Sequence, residues 1–305
     1  MKYIYGPIPS RRLGQSLGIS PISKKTCNLA CVYCMLGNTD KMTNDFVYEY
    51  PVNEILDEVK IMLKKAEIID VITIVGEGEP TLYLKLGELI TKIKELTDIP
   101  VAVITNGTLL TEDSVYQALL KADIVLPSID AYDEISFKLI NRPHKALNYQ
   151  NSLAALIKFS HEYQGQIWLE TMIMSGYNDS LEAVEGFKII FKKIRYDRLY
   201  LNSPVRPPAI STVKSVDHDL MDSLARSLNG INIDLLADPN FHSEIVDDYE
   251  AILSIIKRHP MNQFEIESFL KSRGCNNMDF IFLKLGKSGS VERVNYKGYM
   301  TYRMR

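Results

Sequence analysis

The chain has 305 residues, 46% of them hydrophobic and 24% charged, which supplies a buried core and argues against a disordered chain. Its longest unbroken apolar runs, such as VITIV, are too short to cross a bilayer, and the opening MKYIYGPIPSRR has no apolar leader segment; a soluble, cytoplasmic protein with no membrane partner is expected. The formal charge of -3 conceals an asymmetry, because Lys257 to Arg305 holds 10 Lys and Arg against 4 Asp and Glu, which gives this tail +6 and leaves -9 on the rest.

In chain order, SLGISPI reads as a first strand, and CNLACVYC follows it as a loop. PVNEILDEVKIMLKKAE reads as a helix opened by Pro51, with Ile55, Val59, Met62 and Leu63 at helical spacing. VITIV is a strand, LKLGELITKIKELT a helix ended before Pro100, and VAVIT, ADIVLP, QIWLETM and RLYLN are strands running into loops rich in Gly, Asn, Ser, Asp or Pro. The expected class is α/β: a partial or complete (β/α) barrel of about six parallel strands, with its active site at the C-terminal strand ends. ADPNFHSEIVDD interrupts the pattern, so residues 1–240 are assigned to the barrel and 241–305 to a small basic module. In that module two helical patterns, YEAILSIIKRH and NQFEIESFLKSR, precede a hairpin, VERVNYKGYMTYRMR, turning at Lys297-Gly298. Helix, helix and basic hairpin resemble a winged-helix module.

Three of the four cysteines, Cys27, Cys31 and Cys34, lie within eight residues of sequence. Neighbours at that spacing make a poor disulfide framework, and only Cys275 remains to pair with them. Structural zinc sites usually draw thiolates from two separated pairs, and no second pair exists here. Three cysteines in one loop can instead hold three irons of a [4Fe-4S] cube and leave the fourth iron open.

The CxxxCxxC spacing, with Tyr33 just before the last cysteine, resembles the radical S-adenosylmethionine (SAM) superfamily. The resemblance implies a [4Fe-4S] cluster on Cys27, Cys31 and Cys34, SAM chelated at the open iron, and reductive cleavage to a 5′-deoxyadenosyl radical that abstracts hydrogen. A reducing electron donor such as a flavodoxin or ferredoxin is then required. VGEGEP, after an apolar strand, matches the family's loop for the amino end of SAM through Gly76, Glu77, Gly78 and Glu79; an ammonium group wants a carboxylate or carbonyl acceptor, and glycine lets the backbone approach. Further SAM contacts implied at later strand ends are Thr105 and Asn106, Ser128 and Asp130, Glu170, and Leu201 with Asn202, together with the backbone at Tyr33. PIPSRRLGQSLGI, INRPH and NSPVRPPA resemble the Fe-S oxidoreductase branch related to the wyosine-base synthase of tRNA. That synthase carries a second cluster on additional cysteines, and this chain has only Cys275 to spare, so a single-cluster member is expected and the wyosine reaction is not carried over.

Arg11, Arg12, Arg142, His144 and Arg206 are substrate candidates, since a guanidinium suits phosphates and carboxylates; each can equally serve in a structural ion pair. In the tail, Arg293, Lys297, Arg303 and Arg305 interleave with Tyr296, Tyr299 and Tyr302, a pattern fit for RNA, or for a protein contact or a lid over the barrel with the tyrosines forming the hairpin's core face. Three readings stand: a radical SAM enzyme acting on a tRNA or other RNA base, one acting on a peptide or protein side chain, and a non-enzymatic Fe-S or zinc-binding nucleic-acid-interaction protein. Cys275 reads as a small buried hydrophobe.

Overall fold

The computed structural model describes residues 1–65, 68–233, 241, 243 and 245–305. Two strands open the chain, β1 (Ile4–Ser10) and β2 (Gly14–Ile19), followed by the short pair β3 (Thr26–Cys27) and β4 (Lys41–Met42) around the cysteine loop. Then strands and helices alternate: α1 (Val52–Lys65), β5 (Val71–Ile74), α2 (Leu86–Leu96), β6 (Val101–Thr105), α3 (Asp113–Leu119), β7 (Ile124–Pro127), α4 (Glu134–Ile140), α5 (Tyr149–Glu162), β8 (Gln166–Met172), α6 (Leu181–Phe191), β9 (Arg198–Asn202), α7 (His218–Leu228) and β10 (Ile231–Asn232). The main sheet runs β1-β2-β5-β6-β7-β8-β9-β10, antiparallel between β1 and β2 and parallel elsewhere. Among the described residues the two edge strands do not pair with each other, so the barrel they form is a partial one. No helix among the described residues is long and apolar enough to cross a membrane.

Alternation along the strands decides what faces the mouth. Ile72, Ile74, Val101, Val103, Val125, Ile167, Leu169, Leu199 and Leu201 lie in the core shared with the helices. Their neighbours Val71, Ala102, Ile124, Leu126, Trp168 and Tyr200 form a separate cluster on the opposite, concave face. The expected helices over residues 51–67 and 84–97 are α1 and α2, whose buried residues include Ile55, Val59 and Met62, and Leu86, Leu89 and Ile93.

Beyond the barrel come α8 (Asp248–Ile256), β11 (Met261–Asn262), α9 (Gln263–Ser272), α10 (Met278–Lys287), β12 (Val291–Tyr296) and β13 (Tyr299–Met304). They enclose a separate core that includes Ile252, Ile256, Ile266, Phe269, Leu270 and Leu285. The sheet here is three-stranded, β11-β13-β12, and the hairpin turns at Lys297 and Gly298, both at positive φ. The expected boundary at residue 240 lies outside the described residues. Cys275 packs against the module's core.

Candidate active site

The cysteine loop is held open between two neighbours. On one side the INRPH segment runs alongside it: Ala30 N donates to Asn141 O (3.0 Å), Val32 N to Ile140 O (2.9 Å), and His144 N to Asn28 O (2.8 Å). On the other side the VGEGEP loop presses close. A Cβ on Gly78 would stand 1.8 Å from the carbonyl oxygen of Thr26, so only glycine permits the approach, and Glu79 N donates to that same oxygen (3.0 Å). Both contacts tie the motif on the loop after β5 to the loop bearing the thiols.

All four cysteines are free thiols. Burial pushes Cys27 up to about 12, and it raises Cys31 and Cys34 as well; Cys31 also feels Asp130, Cys27 and Cys34. Such thiols keep their protons unless a metal takes the charge. Among the described residues no three His, Cys, Asp or Glu side chains close around a single metal-ion position. The donor set nevertheless suits an iron–sulfur cluster: three half-buried thiols share one loop, and hydrogen-bond donors already point at two of their sulfurs. Leu29 N reaches the Cys27 sulfur at 3.4 Å, and Asn141 Nδ2 reaches that of Cys31 at 3.4 Å.

Above the strand ends lies a cavity of about 670 Å3. Of the expected SAM contacts, Tyr33, Gly76, Glu77, Ser128, Asp130, Glu170 and Asn202 line it, together with Cys34. Their places follow from parity: Ser128, Asp130, Glu170 and Asn202 continue the inward-facing set of their strands. Asp130 accepts from Tyr33 Oη (2.5 Å), Asn141 Nδ2 (2.9 Å) and Met172 N (2.9 Å), and burial raises its pKa against those bonds. Glu170 accepts from Asn202 Nδ2 (2.9 Å) and pairs with Arg12, whose own pKa burial lowers to about 10.

Five expected contacts lie elsewhere, one of them Gly78, which is packed against Thr26. Leu201 is fully buried in the helix-side core, because its parity is that of Leu199. Glu79, Thr105 and Asn106 form a brace behind the cavity. The Glu79 carboxylate accepts from Thr81 N (3.0 Å), Thr81 Oγ1 (2.6 Å), Thr105 Oγ1 (2.6 Å) and Asn106 N (2.8 Å), while Asn106 Nδ2 donates to Asn28 (2.8 Å). A carboxylate with four donors fixes the loop rather than awaiting a ligand.

The substrate candidates divide in the same way. Arg11, Arg12 and Arg206 line the cavity. Arg142 is exposed with φ 46°, and the Nδ1 of His144 accepts from Ala146 N (3.3 Å), a local turn contact; both belong to the rail along the cysteine loop. Arg206 is not open to a substrate anion either: its guanidinium forks onto both carboxylate oxygens of Glu265, one at 2.5 Å, and reaches His259 Nε2 at 3.0 Å.

These partners make the C-terminal module one wall of the cavity, as the lid alternative allowed, through residues the sequence reading did not name. Arg258, His259, Asn262, Glu265, Ser268 and Phe269 all line it. Arg258 Nε lies 3.4 Å from a buried Glu77 oxygen and its guanidinium stacks over Tyr5. The hairpin is turned inward as well. Tyr296 Oη donates to Pro204 O (2.6 Å), Arg303 Nη1 donates to Pro207 O (3.2 Å), and Tyr302 is buried in the module's core. Of the basic and aromatic stripe, Arg293, Lys297, Tyr299 and Arg305 are exposed residues.

Residues 22–187 match the family model described as the Radical SAM superfamily. The chain belongs to the radical SAM superfamily. A [4Fe-4S] cluster and SAM are the cofactors of that superfamily, and the loop of Cys27, Cys31 and Cys34 falls within the matched residues. Similar proteins include a GTPase Obg of Brachyspira hyodysenteriae, 34% identical over 307 residues, which covers 99% of this chain and 45% of that protein. A UPF0026 protein of Methanocaldococcus jannaschii is 33% identical over 313 residues, covering 99% of this chain and 96% of its relative. The chain thus spans less than half the length of the first relative and nearly all of the second. Among solved structures, TYW1 with a lysine-pyruvate adduct bound shares the fold, with a TM-score of 0.53 at 22% identity over 73% of this chain and 74% of that one.

Proposed function

We propose that this chain is a radical SAM enzyme in which Cys27, Cys31 and Cys34 hold one [4Fe-4S] cluster and SAM lies along Tyr33, Gly76, Glu77, Ser128, Asp130, Glu170 and Asn202. The observation that carries the reading is the meeting of Cys34 and these strand-end residues in one cavity. Held by Cys27, Cys31 and Cys34, the cluster would supply the electron for reductive cleavage of SAM, the source of the radical that would abstract hydrogen from the substrate. The chain's own part is to orient SAM through the fixed polar groups of Asp130, Glu170 and Asn202, and to keep water from the radical through the barrel and the wall of α9. A reduced flavodoxin or ferredoxin serves as electron donor.

The substrate we favour is a base of tRNA or another RNA whose reacting group enters between the strand ends and α9. Exposed Arg293, Lys297 and Tyr299 support phosphate and base contacts beside the entrance. The second reading, a peptide or protein side chain, is favoured by Phe241, Phe264 and Phe269 on the module's side of the cavity. The experiment is 5′-deoxyadenosine formation by the anaerobically reconstituted, reduced protein with SAM, run with and without bulk tRNA. Stimulation by tRNA is the expected result. Formation without stimulation leaves the enzyme class standing and turns the search to peptides; the absence of both SAM binding and deoxyadenosine formation in protein that holds its cluster overturns the reading.

A further inference from the structure

Asn141 closes α4, where its backbone N–H bonds Phe137 O and its side chain is buried at 4% exposure. Its carboxamide has two neighbours: Nδ2 lies 2.9 Å from Asp130 Oδ2 and 3.4 Å from the sulfur of Cys31. The amide orientation follows from chemistry. A carboxylate and a ligating thiolate are both acceptors, so the NH2 group, with two hydrogens, is the end that satisfies both, and a flipped amide would set oxygen against two anions. Asp130 is itself fixed by Tyr33 Oη (2.5 Å) and Met172 N (2.9 Å). One amide hydrogen is thereby anchored and the other is aimed at sulfur. The same residue's carbonyl accepts from Ala30 N (3.0 Å), which locks the cysteine loop to it from the main chain.

We propose that Asn141 is the positioning residue that tunes the cluster's reduction potential, by donating a hydrogen bond to the Cys31 sulfur and by holding the Asp130 carboxylate off it. This rests on the assignment of the cluster to Cys27, Cys31 and Cys34. When the cluster takes up one electron, negative charge on the thiolate sulfurs grows, and a donor at sulfur stabilises the reduced state more than the oxidised one. Removal of the amide withdraws that donor and also leaves Asp130 less screened. Both effects oppose reduction, so they move the potential in one direction. Asn106 is a built-in comparison: its Nδ2 stands 4.0 Å from the Cys27 sulfur and is already committed to Asn28 Oδ1 at 2.8 Å.

The test is an electron paramagnetic resonance redox titration of the full-length, anaerobically reconstituted chain, with iron and sulfide counted in each sample. Asn141→Ala should lower the equilibrium constant for reduction about tenfold, a downward shift of ~59 mV for one electron. Asn141→Asp keeps the shape, shares one proton with Asp130 at 2.9 Å and loses the donor to sulfur, so it should also lower the midpoint, and Asn106→Ala should lower it by less than half as much as Asn141→Ala. A fully loaded Asn141→Ala protein with a midpoint equal to or above wild type overturns the proposal. If the alanine variant does not load, Asn141→Asp decides: a midpoint at or above wild type overturns the proposal, and a lower one supports it. Failure of the wild-type chain to hold any cluster would instead overturn the cysteine assignment beneath it.

Discussion

His259 gives the contact between module and barrel a pH dependence whose size follows from its surroundings. It lies beside Phe241, and Arg206 Nη2 meets its Nε2 at 3.0 Å. A guanidinium only donates, so Nε2 accepts and the ring is neutral with its proton on Nδ1. Burial, and then the charges of Arg206 and Arg11, push the imidazole from its ordinary 6.5 down to about 3. The unfolded chain therefore takes up a proton that the folded one refuses. The stability from keeping this ring neutral is complete above pH 6.5 and is lost as pH falls through the window down to about 3. Between about pH 7 and pH 5 the loss from this one group is about 2 kcal/mol. Urea unfolding of wild type and His259→Gln at both pH values isolates it, because the amide keeps an acceptor for Arg206 and does not titrate. The wild type should lose about 2 kcal/mol more than the variant on acidification; equal losses would refute the account of His259 as a buried neutral acceptor.

Replacing Cys27, Cys31 or Cys34 by Ala should abolish the full [4Fe-4S] complement in iron analysis and visible absorbance. Cys275→Ala should leave it unchanged, because that thiol packs against the C-terminal core beside Asp248; iron lost from Cys275→Ala would mean a misplaced ligand. Gly78→Ala sets a methyl group 1.8 Å from the Thr26 oxygen, where backbone must move, and should destabilise the chain by at least about 3 kcal/mol and impair cluster loading. A variant with wild-type melting and iron content would show that the close approach of the two loops is dispensable.

Much of the barrel was legible because strand periodicity and loop chemistry agree in the sequence. VITIV, VAVIT and RLYLN became strands of the parallel sheet, and the loops after them meet at one mouth. The same periodicity, pressed further, separates Asn202 from Leu201 and Ser128 from Thr105: residues two apart share a face, and only one parity faces the cavity. A motif match without that parity assigns adjacent residues alike, which is how Leu201 and Thr105 came to be expected beside SAM. Glu79 escaped for another reason, since nothing in GEGEP tells which of two glutamates will find four donors at the next strand end. The face of α10 was hard to read because apolar residues lie on both sides: Met278, Ile281, Phe282 and Leu285 pack on the module's core at helical spacing, while Phe280 and Leu283 are more than half exposed.

The basic tail shows why charge counted along a sequence does not locate a binding surface. Its +6 is a sum over groups whose partners are fixed only in the fold. Arg303 is spent on Glu292 and on Pro207 O, Arg273 on Asp248 and on three backbone carbonyls, and Arg258 on Glu77 and Lys2 O. These partners come largely from barrel loops and the module's own turns, so the charge that looked free in sequence works as attachment. Attachment at the mouth also explains why a module with its own core places polar residues toward the cavity. On α9, Ile266, Phe269 and Leu270 enter the module's core while Asn262, Glu265 and Ser268 line the cavity. A helix face packed only to close a lid gains most from apolar contact. The α9 face is mixed: Phe264 and Phe269 line the cavity too, while the Glu265 carboxylate is held by Arg206 and Asn262 caps the helix, so its polar groups serve attachment at the mouth as the tail's arginines do.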